Sequence, residues 1–186
     1  ALGDFDRADL LLEQVVQECE AVGERRVVGL THNVLGLVAE ARGELAEARR
    51  YYELALATAQ AIGAETEAAY ARHDLGALYV ELDQPAQAVP LLAAAHATWT
   101  AQNNDLLRLK SEACLGLARL ALGEQAGAEA LANQGWSAFQ QGMPQGELPQ
   151  AWLWTLYSLL NRLQRQAEAQ QVLRAAYDEL QRQATA

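Results

Sequence analysis

The chain has 186 residues, 51% of them hydrophobic, and its 24 acidic and 14 basic side chains give a net charge of −10. The apolar content excludes a disordered tail. Lys110 is the single lysine, and direct nucleic-acid binding is not expected because it needs a basic surface to neutralise phosphates. No apolar run approaches the roughly 20 residues that cross a membrane. Two cysteines, Cys19 and Cys114, are read as reduced thiols of a cytoplasmic protein.

Apolar residues recur at three- and four-residue spacing along the whole chain, which predicts helices. Gly23 and Gly63 follow such segments and mark helix ends. The clearest loop signal is the segment 142–146, which holds two glycines and Pro144. We therefore predict nine helices, near residues 4–22, 25–42, 44–62, 65–82, 84–102, 105–122, 124–141, 147–163 and 165–183.

The chain also aligns with itself when it is written in rows of forty. Three columns show this period: an alanine column (Ala8, Ala48, Ala88, Ala128, Ala169), a mid-helix glycine column (Gly36, Gly76, Gly116) and a turn column (Gly3, Gly43, Asp83, Gly123, Gln164). Such a period predicts a repeat array whose units bury their apolar faces by stacking. Mid-helix glycine costs about 0.5–1 kcal/mol, so we expect the partner helix of the same pair to approach closely there. The turn column predicts a left-handed residue, for which Gln164 suits least.

The first full row reads Leu35-Gly36, Gly43, Ala48, Tyr52 and Ala55. This pattern resembles the tetratricopeptide repeat, and the likeness covers essentially the whole chain. It implies an all-α, right-handed superhelix. The period of forty is longer than the usual one and is similar to repeats of bacterial multidomain regulators, while HEAT repeats share the period without these columns. His32, Arg72 and Glu112 replace the aromatic residue usual in the first helix.

The same rows suggest how the domain is organised. We expect a single repeat domain over 1–186 that is a fragment of a longer protein. It comprises a half repeat at 4–23 and helix pairs at 24–63, 64–104, 105–143 and 144–186.

Resemblance to the family implies that the first helices of successive pairs line a concave groove, in which a protein or peptide binds. The implied lining residues are Leu30, Asn33, Leu37, Glu40, Tyr70, His73, Lys110, Leu117 and Trp154. The alternative for leucines such as Leu37 and Leu117 is packing between neighbouring pairs. A clamp for a peptide's terminal carboxylate is not expected, because only Lys110 matches the family's clamp residues.

No catalytic, nucleotide-binding or metal-binding motif occurs in the sequence, so we predict no catalytic, cofactor or metal residues and a non-enzymatic interaction domain of a cytoplasmic regulator. Two alternatives stay open. One is a small-molecule sensor using Tyr70, His73 and Trp154. The other is self-association as a homodimer through the apolar N-terminal edge, helix 4–22. Aromatic residues gather in the last third of the chain, either as a stacking platform or as ordinary packing.

Overall fold

The computed structural model describes residues 2–142 and 149–185, with side chains described over 7–142 and 150–182. These residues form nine α-helices: α1 (Leu2–Val22), α2 (Arg25–Ala41), α3 (Leu45–Ala61), α4 (Glu65–Glu81), α5 (Pro85–Ala101), α6 (Asp105–Ala121), α7 (Gln125–Gln141), α8 (Pro149–Arg162) and α9 (Gln166–Thr185). Every predicted helix is confirmed, with ends that agree to within two residues.

The forty-residue period of the sequence equals the spacing between α2, α4 and α6, the first helices of successive pairs. Helices α2 to α7 have 17 residues each. Their first residues, from Arg25 to Gln125, are evenly spaced along the chain. One helix pair therefore occupies one full row of the sequence, as the distance from Arg25 of α2 to Glu65 of α4 shows. The all-α helical-repeat class predicted from the sequence is confirmed.

Each described turn contains one residue in the left-handed region. These residues are Gly23, Gly43, Gly63, Asp83, Asn103, Gly123 and Gln164, with φ between 54° and 79°. At the first pair the Glu44 N–H donates to Ala39 O at 2.9 Å and the Gly43 N–H to Glu40 O at 2.8 Å, which is the Schellman pattern that ends helices.

The turn column holds at Gln164 and fails at Gly3. Gln164 has φ of 61° and makes the same turn as the glycines, closed by the Arg165 N–H donating to Leu160 O at 2.9 Å. Those hydrogen bonds offset the strain of a side chain in this conformation. Gly3 lies inside α1 and not in a turn.

The chain divides into two compact units, residues 1–78 and 79–186. In the first unit α2 packs on α1 and α3, and Val28, Leu35 and Ala39 of α2 are buried with Ala48 and Tyr52 of α3. In the second unit α6 packs on α5, α7 and α8, and α8 packs on α9. The core of the second unit gathers around the buried Trp152, Leu156 and Leu160 of α8.

The glycine column has two different explanations. A Cβ atom on Gly36 would lie 2.4 Å from Cε1 of Tyr52 on α3, the partner helix of the same pair, as expected. A Cβ atom on Gly116 would lie 2.5 Å from Cδ2 of Leu159 on α8, the first helix of the next pair. The expectation of a same-pair neighbour is therefore wrong for Gly116.

Candidate binding surfaces

The first unit exposes a row of aliphatic side chains along one face of α2. Val27, Leu30, Val34 and Leu37 are all solvent-exposed, between 39% and 46%. Their spacing of three, four and three places them on one narrow strip of the helix. Two of the predicted groove residues, Leu30 and Leu37, thus lie at the surface, beside two valines that were not predicted as groove residues.

Polar contacts beside this strip tie α2 to α4. Asn33 Nδ2 donates to Asp74 Oδ2 at 2.7 Å, and Arg26 pairs with Glu67. Asn33 is therefore committed to a structural contact within the predicted groove. The four aliphatic side chains of the strip remain 39–46% exposed beside these polar contacts.

Glu40 of the predicted groove also makes a contact within the first unit. The hydroxyl of the fully buried Tyr52 donates to Glu40 Oε2 at 2.7 Å. This hydrogen bond fixes the ring that fills the space beside Gly36. On α4, Tyr70 is 38% exposed and His73 is partly buried, so Tyr70 adds an exposed aromatic ring to the first unit.

In the second unit the predicted groove residues lie in three different environments. Lys110 is partly buried. Leu117 is 8% exposed and belongs to the core that contains Trp152 and Leu156. Trp154 is 60% exposed, with its ring 5.4 Å from that of Tyr157.

The aromatic residues of the last third are mainly packing residues. Trp152 is fully buried, and Trp136 and Phe139 stack with centroids 5.3 Å apart against the same core. Trp154 differs, because it is 60% exposed on α8, whereas its neighbour Tyr157 is partly buried and packs against that core.

A buried charge cluster between α5 and α6 was missed at the sequence level. Glu112 is 1% exposed, and its Oε2 accepts a hydrogen bond of 2.7 Å from Arg108 Nη1. His96 Nε2 lies 3.4 Å from the same oxygen. Glu112 Oε1 makes no hydrogen bond. The sequence feature that could have indicated this cluster is Glu112 itself, a carboxylate at the position where the repeat usually has an aromatic residue.

His32 occupies the equivalent position in the first pair. Its ring lies 6.2 Å from that of Tyr51, and its buried Nδ1 has no hydrogen-bond partner. Burial lowers the pKa of His32, Glu20 opposes this shift, and Arg50 adds to it. The neutral imidazole is therefore the form that the fold favours.

Membrane-spanning and metal-binding features are absent from the part of the chain that the structure describes. None of the described helices combines the length and apolar character needed to cross a membrane. Among the described side chains, no three His, Cys, Asp or Glu residues are grouped so that they could hold a metal ion. Cys114 is buried, Cys19 is partly buried, and neither forms a disulfide.

Comparison with known proteins agrees with this architecture. Residues 27–101 match the profile of the tetratricopeptide repeat. Among solved structures, BtubC (BKLC) from P. vanneervenii superposes with a TM-score of 0.75 and 16% identity, over 95% of this chain and 73% of that one. A putative kinesin light chain of Podosopora anserina, with nearly identical TPR-like repeats, gives 0.67 at 24% identity, and a variant of it gives 0.70 at 23%. Each covers 97% of this chain and 90% of that one. No curated protein matches the sequence.

The segment 27–101 thus matches the tetratricopeptide repeat, and the fold of the chain is that of a TPR-like helical repeat. Repeats of this family generally mediate protein–protein interaction and are typically non-catalytic.

Proposed function

We propose that the chain is a non-enzymatic interaction domain that binds a protein or peptide along the first helices of its pairs. In the first unit the contact residues are Leu30 and Leu37 of α2 and Tyr70 of α4. The observation that carries the proposal is the exposure of these side chains on two helices that the contacts of Asn33 with Asp74 and of Arg26 with Glu67 hold together.

A partner that covers the strip gains binding free energy from the apolar surface it buries. Single exposed apolar residues are ordinary, but aligned ones offer a continuous strip. Burying apolar surface is worth about 25 cal/mol per Å², and a helix or an extended segment with apolar side chains at matching spacing removes that strip from water. The polar pairs that hold α2 beside α4 fix the strip before the partner arrives, which lowers the ordering cost of binding.

In the second unit we assign a contact role to Trp154 and Lys110. An exposed tryptophan is a typical anchor at protein interfaces, and Lys110 supplies a positive charge. Leu117 is assigned to the core. We also propose that the domain works in the cytoplasm as the repeat module of a bacterial regulator, for which the long period of the repeat is the support.

The test is affinity capture from a source lysate, read by mass spectrometry, with native chain and two variants as baits. Leu30→Glu with Leu37→Glu places charges on the strip without disturbing the core. Leu54→Glu is the matched control, because Leu54 is a comparably exposed leucine on α3. A protein held by the native chain and the control but lost from the double variant supports the proposal. The same protein held by all three baits contradicts it.

A second candidate function is a small-molecule sensor, and the exposed Trp154 ring beside Tyr157 favours it. Such a pair stacks on sugar or planar rings. A ligand that binds only the folded chain raises its melting temperature. A metabolite panel that shifts the native chain but not Trp154→Ala would favour the sensor, and no shift with any compound would count against it.

A further inference from the structure

We propose that His32 makes the exposed strip of α2 acid-sensitive: in mildly acidic solution its imidazole takes up a proton, and α2 loosens from α1 and α3. This inference rests on the proposed function, because it concerns how binding at that strip is regulated. His32 lies on the same helix as Leu30 and Leu37, between them in the chain. Any loosening of this helix therefore disturbs the surface that a partner would contact.

His32 packs as an aromatic residue would. It occupies the position where the repeat usually has an aromatic side chain, and its ring stacks on that of Tyr51 of α3, with 26° between the ring planes. Its Nδ1 is shielded from water and has no hydrogen-bond partner in the described part of the chain. A phenyl ring could only pack at this position, whereas an imidazole can also become charged between about pH 5 and 8.

The surroundings of the ring disfavour a second cation. The guanidinium of Arg50 on α3 already lies over the Tyr51 ring, with Cζ 4.3 Å from its centroid. Burial lowers the pKa of His32, Glu20 of α1 opposes this shift, and Arg50 adds to it. Glu20 is exposed, so water screens its attraction for an imidazolium.

The other carboxylates on the helices around α2 are engaged elsewhere. Glu47 of α3 accepts hydrogen bonds of 2.9 and 3.0 Å from Arg50. Glu67 and Asp74 of α4 contact other residues of α2. A proton on His32 therefore places a positive charge at a shielded atom without a dedicated counter-ion.

The direction of the pH effect follows from this burial. Because the pKa of His32 is lowered by packing, an opened α2 binds the proton more readily than the packed helix does. Above the usual histidine pKa of about 6.5 both states are neutral and the packing of α2 is complete. As the pH falls below that value, local opening becomes easier. An opened α2 no longer holds Leu30 and Leu37 at fixed spacing, so partner binding weakens.

Hydrogen exchange of the intact chain measures this opening without a partner. Protection of the amides in 25–41 and 150–162 is determined by mass spectrometry at about pH 7.5 and about pH 5.5, after correction for intrinsic exchange rates. Helix α8 is the internal reference, because its residue equivalent to His32 is the fully buried Leu153. We expect acid to reduce protection of α2 by at least about twofold more than that of α8.

Variants assign the effect to the imidazole. His32→Phe restores an aromatic ring, and His32→Gln is a second uncharged replacement in case the larger ring disturbs the packing. Both should abolish the excess acid loss of protection in α2. His96→Gln is the matched control, since His96 lies on α5 in the second unit, and it should leave the excess loss in place. An equal excess loss in both His32 variants, or none in the native chain, would overturn the proposal.

Affinity capture at the same two pH values connects the opening to the strip. A partner held by the native chain at about pH 7.5 should be lost at about pH 5.5, while His32→Phe holds it at both. Loss from both chains at the lower pH would contradict regulation through His32. A chain that captures nothing at either pH would count against the proposed function instead, and the exchange result would still decide whether His32 makes α2 acid-sensitive.

Discussion

Helices α2 and α6 hold the same positions in their repeats, yet they are covered to very different extents. Leu37 and Leu117 are the same residue in the same column, and they are 46% and 8% exposed. In the second unit α6 packs on α5, α7 and α8, and Ser111 to Ala118 form an unbroken buried run. The comparison teaches that a repeat position does not decide whether a side chain is surface or core. The helices that pack around the side chain determine its exposure.

The largest expected effect contrasts these two leucines. Leu117→Glu removes a core side chain and buries a carboxylate, so we expect a loss of about 3 kcal/mol or more in the free energy of unfolding. Leu37→Glu changes an exposed position and should alter that free energy by about 0.5 kcal/mol at most. Chemical denaturation followed by circular dichroism measures both. An equal loss in the free energy of unfolding for both variants would contradict the difference in burial between Leu37 and Leu117.

The second contrast concerns the glycine column. Gly36→Ala and Gly116→Ala each force a Cβ into occupied space, and overpacking costs about 1–3 kcal/mol, partly offset by the gain of about 0.5–1 kcal/mol in helix propensity. Gly29→Ala, on the same helix as Gly36, is the control, since its Cβ meets Thr58 Cγ2 at 3.2 Å and a small shift relieves that contact. It should be neutral or stabilising.

A double-mutant cycle sharpens this contrast. If the neighbour of Gly116 is Leu159 of the next pair, as the structure shows, Leu159→Ala should relieve part of the cost of Gly116→Ala. Additive effects of the two changes would instead place the crowding elsewhere.

The third contrast concerns the charge cluster between α5 and α6. Arg108→Ala leaves the buried Glu112 carboxylate without its hydrogen-bond donor, and we expect a loss of about 2 kcal/mol. Glu112→Leu removes the charge itself and should be neutral or stabilising, because Glu112 Oε1 already has no partner. Thermal unfolding of both variants tests this order, and a larger loss from Glu112→Leu would show that the pair is strongly stabilising.

The smallest expected effect is on pH dependence in the first unit. Burial lowers the pKa of His32, so the folded chain binds a proton there less readily than the unfolded chain. The stabilising contribution of the neutral imidazole is therefore complete above the usual histidine pKa of about 6.5 and is lost as the pH falls below it. His32→Phe should reduce the drop in melting temperature between about pH 7.5 and about pH 5.5. An unchanged drop would show that other groups cause the acid sensitivity.

The helices, their period and most turns could be predicted from the sequence, because they depend on local residue types. Gly43 and Gly123 predict a left-handed turn, and the helical spacing of apolar residues can be recognised without knowing which helices pack together. Gln164 was harder, since its conformation is held by backbone hydrogen bonds that the residue type does not reveal.

The binding surface was less predictable because the exposure of its side chains depends on which helices pack beside them. Leu37 and Leu117 are indistinguishable in sequence, and only the packing of α8 on α6 separates them. Nothing in the sequence around Glu40 indicates that its side chain accepts a hydrogen bond from Tyr52. His96 and Glu112 lie on different helices with a turn between them, so their contact depends on how α5 packs on α6.

The central claim is that the exposed strip of α2 is a protein-binding surface. Its most direct test is the dissociation constant of the captured partner, purified and titrated against the native chain, Leu30→Glu with Leu37→Glu, and Leu54→Glu. The account predicts at least about tenfold weaker binding to the double variant and no more than about twofold change for Leu54→Glu. The same dissociation constant for all three chains would contradict it.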